Sequence, residues 1–376
     1  MKVLFVCSYY FKHSQTGAGT QVRETYNYLV SLGHQVTQIF VKHFPVVFET
    51  QSGDVLSRDA IINLLGTHDV AHLIHCSRMM ARIWRDYNKE SCIPTVGSTI
   101  FWAGKERIQM ALKTYPLGIE VIRVVSVFAR SLFKWYNNFL GIDCFLPNSN
   151  AEAKVVDQHF KRDKQSIIMP APNGFVIPDS DFIGQDRHPD IPFNEYIVVP
   201  GIFANRKNQL GIIKALRASD IPVVFMGGTC EEHGKINKYY RHCRELATSN
   251  MLFLGYVDSA TRQYWSVLSH ARCACLASDC ETPGIAMIEA AYAGARPIIT
   301  KFGGTSEYFG FDAEYLDPRD ELSIREAVTR AWLRGRLATS EALAYGRYTW
   351  EYCAKLTTQA YELTVKRRKA GGLNEI

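Results

Sequence analysis

The stretch SDCETPGIAMIEAAYAGARPIIT, residues 278–300, decides the fold predicted for this chain. It follows a short apolar run, residues 273–277, and leads into an apolar helical pattern that starts near Ile285. Glu281 lies in a turn-prone loop and Glu289 on the predicted helix, with seven residues between them. Both carboxylates therefore fall beyond the carboxyl end of a predicted strand, where open α/β sheets bind ligands. The helix start also offers unpaired N–H groups to an anion.

Short apolar runs alternate with helical patterns on both sides of this stretch. Such alternation predicts parallel, doubly wound sheets and an α/β fold. The predicted strands are residues 3–6, 36–41, 70–74, 95–98 and 144–147 in the first half and 196–199, 222–226, 251–254, 274–277, 296–300 and 314–316 in the second. The same rhythm in both halves predicts two Rossmann-like domains.

A cluster of prolines separates the two halves, and we place an interdomain linker at about Pro178 to Pro192. The predicted N-terminal domain is residues 1–180, and the C-terminal domain is residues 190–351. We expect the last helix, residues 352–376, to pack back onto the N-terminal domain. Its basic cluster at 366–369 is typical of a solvated helix end, with contact to anionic lipid as the alternative.

The composition is that of an ordinary soluble globular protein. Of the 376 residues, 47% are hydrophobic and 21% are charged, and the net charge of +6 is too small to predict a nucleic-acid partner. The ten cysteines form no pairs with metal-ligand spacing, so we expect a reducing cytoplasm and no metal site. We recognise no signal peptide and no apolar run long enough to span a membrane. Residues 119–140 predict a core-facing helix, with a basic amphipathic helix at the inner membrane face as the alternative.

Ligand-type side chains follow several strands of the second half. They are Arg206-Lys207, Gly227-Gly228, the pair Glu281 and Glu289, and Gly303-Gly304 with Glu307. A diphosphate needs cations and N–H donors, which Arg206, Lys207 and the glycine turns can supply. Glu289 suits the hydroxyls of a ribose, and Glu281 suits those of a sugar. Each feature alone has an ordinary structural explanation, but their recurrence at one sheet edge predicts a nucleotide-sugar site.

The first half carries weaker signals. Gly17 and Gly19 lie in the loop after the first strand, where they indicate either a tight turn or backbone N–H groups close to a ligand. His72 and His75 flank a predicted strand, and a structural role is favoured over a catalytic one for such histidines.

The second half resembles the family 4 retaining glycosyltransferases of the GT-B fold. Their motif is two glutamates separated by seven residues, with a glycine three after the first and an Ala-x-x-x-Gly-x-Pro run behind. Here the motif reads ETPGIAMIE at 281–289, followed by AAYAGARP at 290–297. Further matching pieces are GHQVT at 33–37, NG at 173–174, KN at 207–208, GGTSE at 303–307, DPRD at 317–320 and YTWE at 348–351.

This resemblance implies a fold, an activity and a role for each matched residue. The fold would be two Rossmann-like domains that face a central cleft, and the activity a hexosyltransferase reaction on a nucleoside diphosphate sugar. Glu289 would hold the ribose, Lys207 the diphosphate, and Glu281 the sugar near its reacting carbon. The backbone at 284–285, Gly284 and Ile285, would approach the sugar and phosphate. Gly17 and Gly19 would line the cleft from the N-terminal side, and neither a metal nor another cofactor would be needed.

Two departures from the family motif keep alternatives open. The arginine that often follows the first strand of the second domain is replaced by Ile202, so Arg206 would have to substitute. The histidine expected after the fourth N-terminal strand is missing from residues 97–102. The alternatives are a nucleotide-sugar epimerase or hydrolase of the same fold and a non-catalytic nucleotide-sugar-binding homologue. The motifs do not specify the donor base, the sugar, the oligomeric state or the acceptor, which could be a sugar, a lipid-linked molecule or another small molecule.

Overall fold

A computed structural model describes residues 1–12, 16–102, 138–184, 186–229 and 238–371 of the protein. The chain forms two units, one of Met1–Gly174 with Trp350–Ile376 and the other of Phe175–Thr349. The second unit is closed at its ends by a backbone hydrogen bond from Phe175 to the Tyr348 carbonyl, 3.0 Å long. The proline-rich stretch from Pro178 to Pro192 therefore falls inside this unit. The helix predicted at 119–140 lies, as far as residue 137, outside the described residues.

The sheet of the first unit has the strand order β4-β3-β2-β1-β5-β6-β7-β8. Its strands are β1 Lys2–Ser8, β2 Gln35–His43, β3 Val46–Thr50, β4 Val55–Leu56, β5 Val70–Leu73, β6 Thr95–Ser98, β7 Cys144–Leu146 and β8 Ile167–Ile168. The inner strands are parallel and fully buried, which explains their uninterrupted apolar sequences. The antiparallel strands β3 and β4 were not predicted, because neither is a separate apolar run between turn signals.

Helices of the first unit begin at hydroxyl caps and end with the last helix of the chain. They are α1 Gly17–Ser31, α2 Arg58–Thr67, α3 Arg78–Ser91, α4 Asn150–His159 and α12 Trp350–Gly371. Thr16, Ser57, Ser77 and Ser149 each accept a hydrogen bond from a first-turn N–H group. Tyr361 of α12 is fully buried and its hydroxyl lies 2.6 Å from Nδ1 of His72 on β5. This buried hydrogen bond fixes α12 against the sheet of the first unit.

The sheet of the second unit is parallel and has the order β11-β10-β9-β12-β13-β14. Its strands are β9 Ile197–Pro200, β10 Val223–Met226, β11 Met251–Gly255, β12 Cys273–Leu276, β13 Arg296–Thr300 and β14 Glu314–Leu316. Its helices are α5 Gln209–Leu216, α6 Lys238–Leu246, α7 Arg262–His270, α8 Ile285–Tyr292, α9 Thr305–Phe309, α10 Glu321–Arg334 and α11 Thr339–Leu343.

Both faces of this second sheet are covered. Successive residues of β12 belong to different cores, since Ala274 and Leu276 pack into one apolar cluster and Cys273 and Cys275 into another. A strand with a core on each side is the hallmark of a doubly wound sheet. The prediction of an α/β fold with two Rossmann-like domains is confirmed.

The direction of winding reverses once in each sheet. In the first unit the chain passes from β1 to β2 on one side and later adds β5 on the other. In the second unit it passes from β9 to β10 and β11, and later adds β12 on the free side of β9. At such a reversal the loops that follow two neighbouring strands diverge and leave a crevice, which is the usual ligand position in this class of fold. Within the described residues, no helix is both long and apolar enough to cross a bilayer.

Candidate active site

The reversal point of the second sheet carries the two charged residues that the sequence singled out. Lys207 lies in a 3-10 turn, Asn205–Lys207, in the loop after β9, and Glu281 lies in the loop after β12. Nζ of Lys207 is 2.5 Å from Oε1 of Glu281. The two side chains are only 13% and 9% exposed, so water screens this ion pair weakly. The structure therefore brings the predicted diphosphate cation and the predicted sugar carboxylate into direct contact.

Both partners of this pair are ionised. Burial alone would raise the pKa of Glu281, but the charges of Lys207 and Arg206 outweigh burial and lower it below the usual value. Burial lowers the pKa of Lys207, and the negative charge of Glu281 opposes that shift. The pair is thus a compensated buried cation and anion, in which removing either charge leaves the other without a partner.

Arg206 is placed differently from its neighbour. Its side chain is exposed and makes no hydrogen bond or ion pair within the described residues. Its backbone carbonyl accepts a hydrogen bond of 2.9 Å from the Asp279 N–H, which joins the loop after β9 to the loop after β12. Arg206 is therefore the available cation at this edge of the sheet, whereas Lys207 is already paired.

Two glycines allow the site loops to approach each other closely. Gly303 has a φ of +109°, and a Cβ at this position would overlap the Glu281 carbonyl oxygen. The Gly304 N–H donates to that same oxygen at 3.0 Å, so the loop after β13 holds the loop after β12. A Cβ on Gly227 would overlap the Gly201 carbonyl, and the Gly228 carbonyl accepts from the backbone of Phe203. For Gly227 and Gly228 the structure thus shows a packing role in support of the loop after β9.

The start of α8 lies beside Glu281. Gly284 is the N-terminal cap residue of this helix and has a φ of +81°, and a Cβ on it would lie 3.6 Å from Oε2 of Glu281. Ile285 is the first helical residue and is partly exposed. The first N–H groups of α8 and the Lys207–Glu281 pair therefore belong to one site, where the helix end favours negative charge.

Glu289 is oriented by a tyrosine that the sequence analysis missed. The hydroxyl of Tyr264, on α7, donates a 2.5 Å hydrogen bond to Oε2 of Glu289. Oε1 has no hydrogen-bond donor within the described part of the chain. Burial raises the pKa of Glu289 to about 7, and the Tyr264 hydrogen bond only partly opposes this shift. No motif marks Tyr264, because its side chain reaches Glu289 only through the packing of α7 against α8.

The predicted residues Gly17 and Gly19 lie in the first unit, in the first turn of α1. The N–H of Gly19 donates to Oγ1 of the capping residue Thr16 at 3.3 Å. Their sequence signal is therefore explained at least by a helix start. Together, the structure places Lys207, Glu281, Gly284 and Ile285 at one reversal point, with Arg206 on the same loop as Lys207.

Comparisons with known proteins agree with this geometry. Residues 187–338, most of the second unit, match the family model of the glycosyl transferases group 1. No curated protein sequence matches the chain. Among solved structures, sucrose-phosphate synthase from Thermosynechococcus elongatus superposes over 100% of both chains at a TM-score of 0.64 and 15% identity. A glycosyltransferase from Rickettsia africae covers 97% of this chain and 98% of its own at a TM-score of 0.64 and 14% identity.

HepE of Anabaena, solved in complex with UDP and glucose, covers 100% of both chains at a TM-score of 0.57 and 14% identity. At such low identity these likenesses establish the fold, which is the GT-B fold of glycosyltransferases. The match over 187–338 identifies a group 1 glycosyltransferase domain in the unit that contains Lys207, Glu281 and Glu289.

We predict that the ion pair stabilises the second unit only as a pair. Lys207→Met leaves the Glu281 carboxylate buried without its partner and should lower the free energy of unfolding by about 3–5 kcal/mol. Adding Glu281→Gln should restore most of this loss, which denaturant titration of the single and double variants would measure. Lys238→Met, which removes an exposed lysine of the same unit, is the control. Additive losses in the double variant would contradict the coupling.

Glu289 should make folding stability depend on pH in a defined interval. The pKa of its carboxyl is raised from the model value of 4.5 to about 7, so the folded protein binds more protons than the unfolded chain between these values. The contribution of Glu289 to stability is therefore lost as the pH rises through this interval. Melting temperatures of wild type and Glu289→Gln should diverge in favour of the variant as the pH rises. Parallel curves across the interval would refute the assignment.

Proposed function

We propose that the protein is a retaining glycosyltransferase of the hexosyl type, which moves a sugar from a nucleoside diphosphate sugar to a hydroxyl group of an acceptor. The observation that carries this proposal is the Lys207–Glu281 pair at the reversal point of the unit that matches the group 1 glycosyl transferases. The UDP and glucose named for HepE support uridine diphosphate as the first nucleotide to test.

Binding of the donor would exchange the partner of Lys207. The exposed Arg206 meets the diphosphate first, and the diphosphate then replaces Glu281 as the counterion of Lys207. Charge at Lys207 stays compensated during this exchange, which avoids the cost of an unpaired buried cation. The released Glu281 carboxylate becomes an acceptor for hydroxyl groups of the donor sugar. The pair therefore keeps the empty site neutral and divides into two binding groups when the donor arrives.

Glu289 would hold the ribose. The Tyr264 hydroxyl fixes Oε2, and Oε1 is left to accept a hydrogen bond from a ribose hydroxyl. Each carboxylate oxygen has more than one lone pair, so Oε2 can accept from a second hydroxyl without losing Tyr264. Hydrogen bonds to the ionised carboxylate lower its pKa, and nucleotide binding therefore favours the charged form of Glu289.

The chemical step breaks the bond between the anomeric carbon of the sugar and the diphosphate oxygen. Negative charge develops on that oxygen, where Arg206, Lys207 and the N-terminus of α8 would stabilise it. In a front-face reaction the same oxygen takes the proton of the acceptor hydroxyl, which attacks from the side of the leaving group and retains the configuration. The proposal assigns the leaving-group charge to side chains and backbone, and gives no role to a metal ion.

Donor binding should weaken when the proposed contacts are removed. Glu289→Ala and Arg206→Gln should each cost about 1.5–3 kcal/mol of nucleoside diphosphate affinity, as expected for a lost charged hydrogen bond. Isothermal titration of the full-length protein with uridine diphosphate and the other nucleoside diphosphates measures the effect. Arg217→Gln, at an exposed arginine of the same unit, is the matched control. Unchanged affinity in both site variants would remove this assignment of the donor site.

The reaction product separates the proposed activity from its alternatives. With a donor identified by binding, we expect a new glycoside whose anomeric configuration, read by proton NMR, is that of the donor. Release of free sugar without transfer would instead support the epimerase or hydrolase. Nucleotide binding without turnover across a broad panel of donors and acceptors would support a binding homologue. A product of inverted configuration would overturn the retaining mechanism alone.

A further inference from the structure

A cavity of about 370 Å³ lies in the first unit, at the carboxyl ends of its strands. Ser8 at the end of β1, His43 at the end of β2, residues 75–78 between β5 and α3, and residues 100–101 after β6 contribute to its lining. The cavity therefore spans the reversal point between β1 and β5, where this class of sheet binds ligands. Its volume falls within the range of roughly 300–1,000 Å³ that is usual for small-molecule sites.

The polar lining of this cavity is basic. Arg78 is the first residue of α3, and His43 and His75 come from two other strand ends. No carboxylate is among the described residues that line the cavity. The N-terminus of α3, whose first turn contains no acidic residue, adds to the positive potential. These charges fit an anionic ligand and disfavour a cation.

His75 is held as a neutral imidazole in a defined tautomer. Its Nε2 lies 3.0 Å from the Ala18 carbonyl, which can only accept, so Nε2 carries the proton and Nδ1 is the acceptor nitrogen. Burial lowers the pKa of His75 to about 4, so the ring is neutral near pH 7. Within the described residues Nδ1 has no hydrogen-bond partner. The backbone of His75 has a φ of +51°, a strained conformation that is common at functional sites.

A second imidazole and several aromatic rings complete the lining. Nε2 of His43 is buried and has no hydrogen-bond partner in the described part of the chain, which is costly unless a ligand or water satisfies it. The ring of Phe11 packs against His75 with 4.7 Å between centroids, and Phe101 and Phe139 form an apolar wall. The cavity thus combines a cation, hydrogen-bonding nitrogens and apolar faces, as a ring compound with hydroxyl groups requires.

We propose that this cavity binds the acceptor, and that the acceptor is a compact hydroxyl compound that carries a phosphate group. Arg78 binds the phosphate, Nδ1 of His75 accepts a hydrogen bond from a hydroxyl group, and the phenyl rings cover the apolar face of the ligand. The role as acceptor rests on the proposed function, whereas the binding itself does not. The same chemistry occurs in a free sugar phosphate and in a phosphorylated lipid headgroup.

The test compares phosphorylated probes with their unphosphorylated counterparts on the full-length protein. Isothermal titration would use glucose 6-phosphate and inositol 1-phosphate beside glucose and inositol, and sedimentation would use phosphatidylcholine vesicles with and without phosphatidylinositol 4-phosphate. We expect one phosphorylated probe to bind and its counterpart not to bind. Binding of a soluble probe alone indicates a free sugar phosphate, and binding of the phosphorylated vesicles alone indicates a lipid headgroup.

Variants locate the binding in the cavity. Arg78→Gln should weaken the phosphorylated probe about tenfold or more, as expected for a lost charge-assisted hydrogen bond. Arg82→Gln, at an exposed arginine one turn further along α3, should leave it unchanged. Equal weakening by both substitutions, equal binding of phosphorylated and unphosphorylated probes, or no binding of any probe would overturn the proposal.

His75→Asn tests the hydroxyl contact separately, because asparagine tolerates the left-handed backbone conformation at this position. It should weaken glucose 6-phosphate or inositol 1-phosphate more than inorganic phosphate, which has no sugar hydroxyl. Equal weakening of both would contradict the role of His75. Nucleotide titration distinguishes the two proposals. Intact uridine diphosphate binding without phosphate-probe binding contradicts only the cavity, and the reverse result contradicts only the donor site.

Discussion

The buried ion pair between Lys207 and Glu281 is the interaction on which the candidate site depends. Each charge is nearly removed from water, and each would be costly without the other. The pair joins the loops after β9 and β12, which are the two strands between which the direction of winding reverses. A fold that leaves a crevice at this point therefore also places a cation and an anion there, already compensated and ready to be separated by a charged ligand.

The backbone around the pair is arranged to permit this contact. At Gly303 and Gly227 a side chain would overlap a carbonyl of a neighbouring loop, so these glycines set how closely the strand-end loops can approach. The left-handed conformation of Asn208 allows the chain to turn from the 3-10 turn of Lys207 into α5, and its side chain donates to the Pro318 carbonyl at 2.7 Å. The loops after β9, β10, β12, β13 and β14 thus support one another, which gives the site a rigid frame.

The two units share a plan but differ in what stands at the reversal point. In the second unit the crevice holds an ionised pair beside the start of α8, which suits a diphosphate and a sugar. In the first unit it holds neutral imidazoles, an arginine and aromatic rings around a cavity. Burial lowers the pKa of His75 and of His43, so the histidines act there as hydrogen-bonding groups and not as charges. The same fold therefore offers two crevices of different chemistry.

The sequence by itself determined the periodic features of this protein. Buried parallel strands are uninterrupted apolar runs, so β1, β5, β6, β9, β12 and β13 could be located within a few residues, and Glu281, Glu289 and Lys207 could be assigned to strand ends. Only the tertiary structure decided which side chains touch. The contacts Lys207–Glu281 and Tyr264–Glu289 join residues 74 and 25 positions apart, and spacing along the chain does not specify such pairs. The cavity around His75 likewise assembles residues from several strand ends, because a crevice is a property of how strands are ordered in the sheet and not of any one segment.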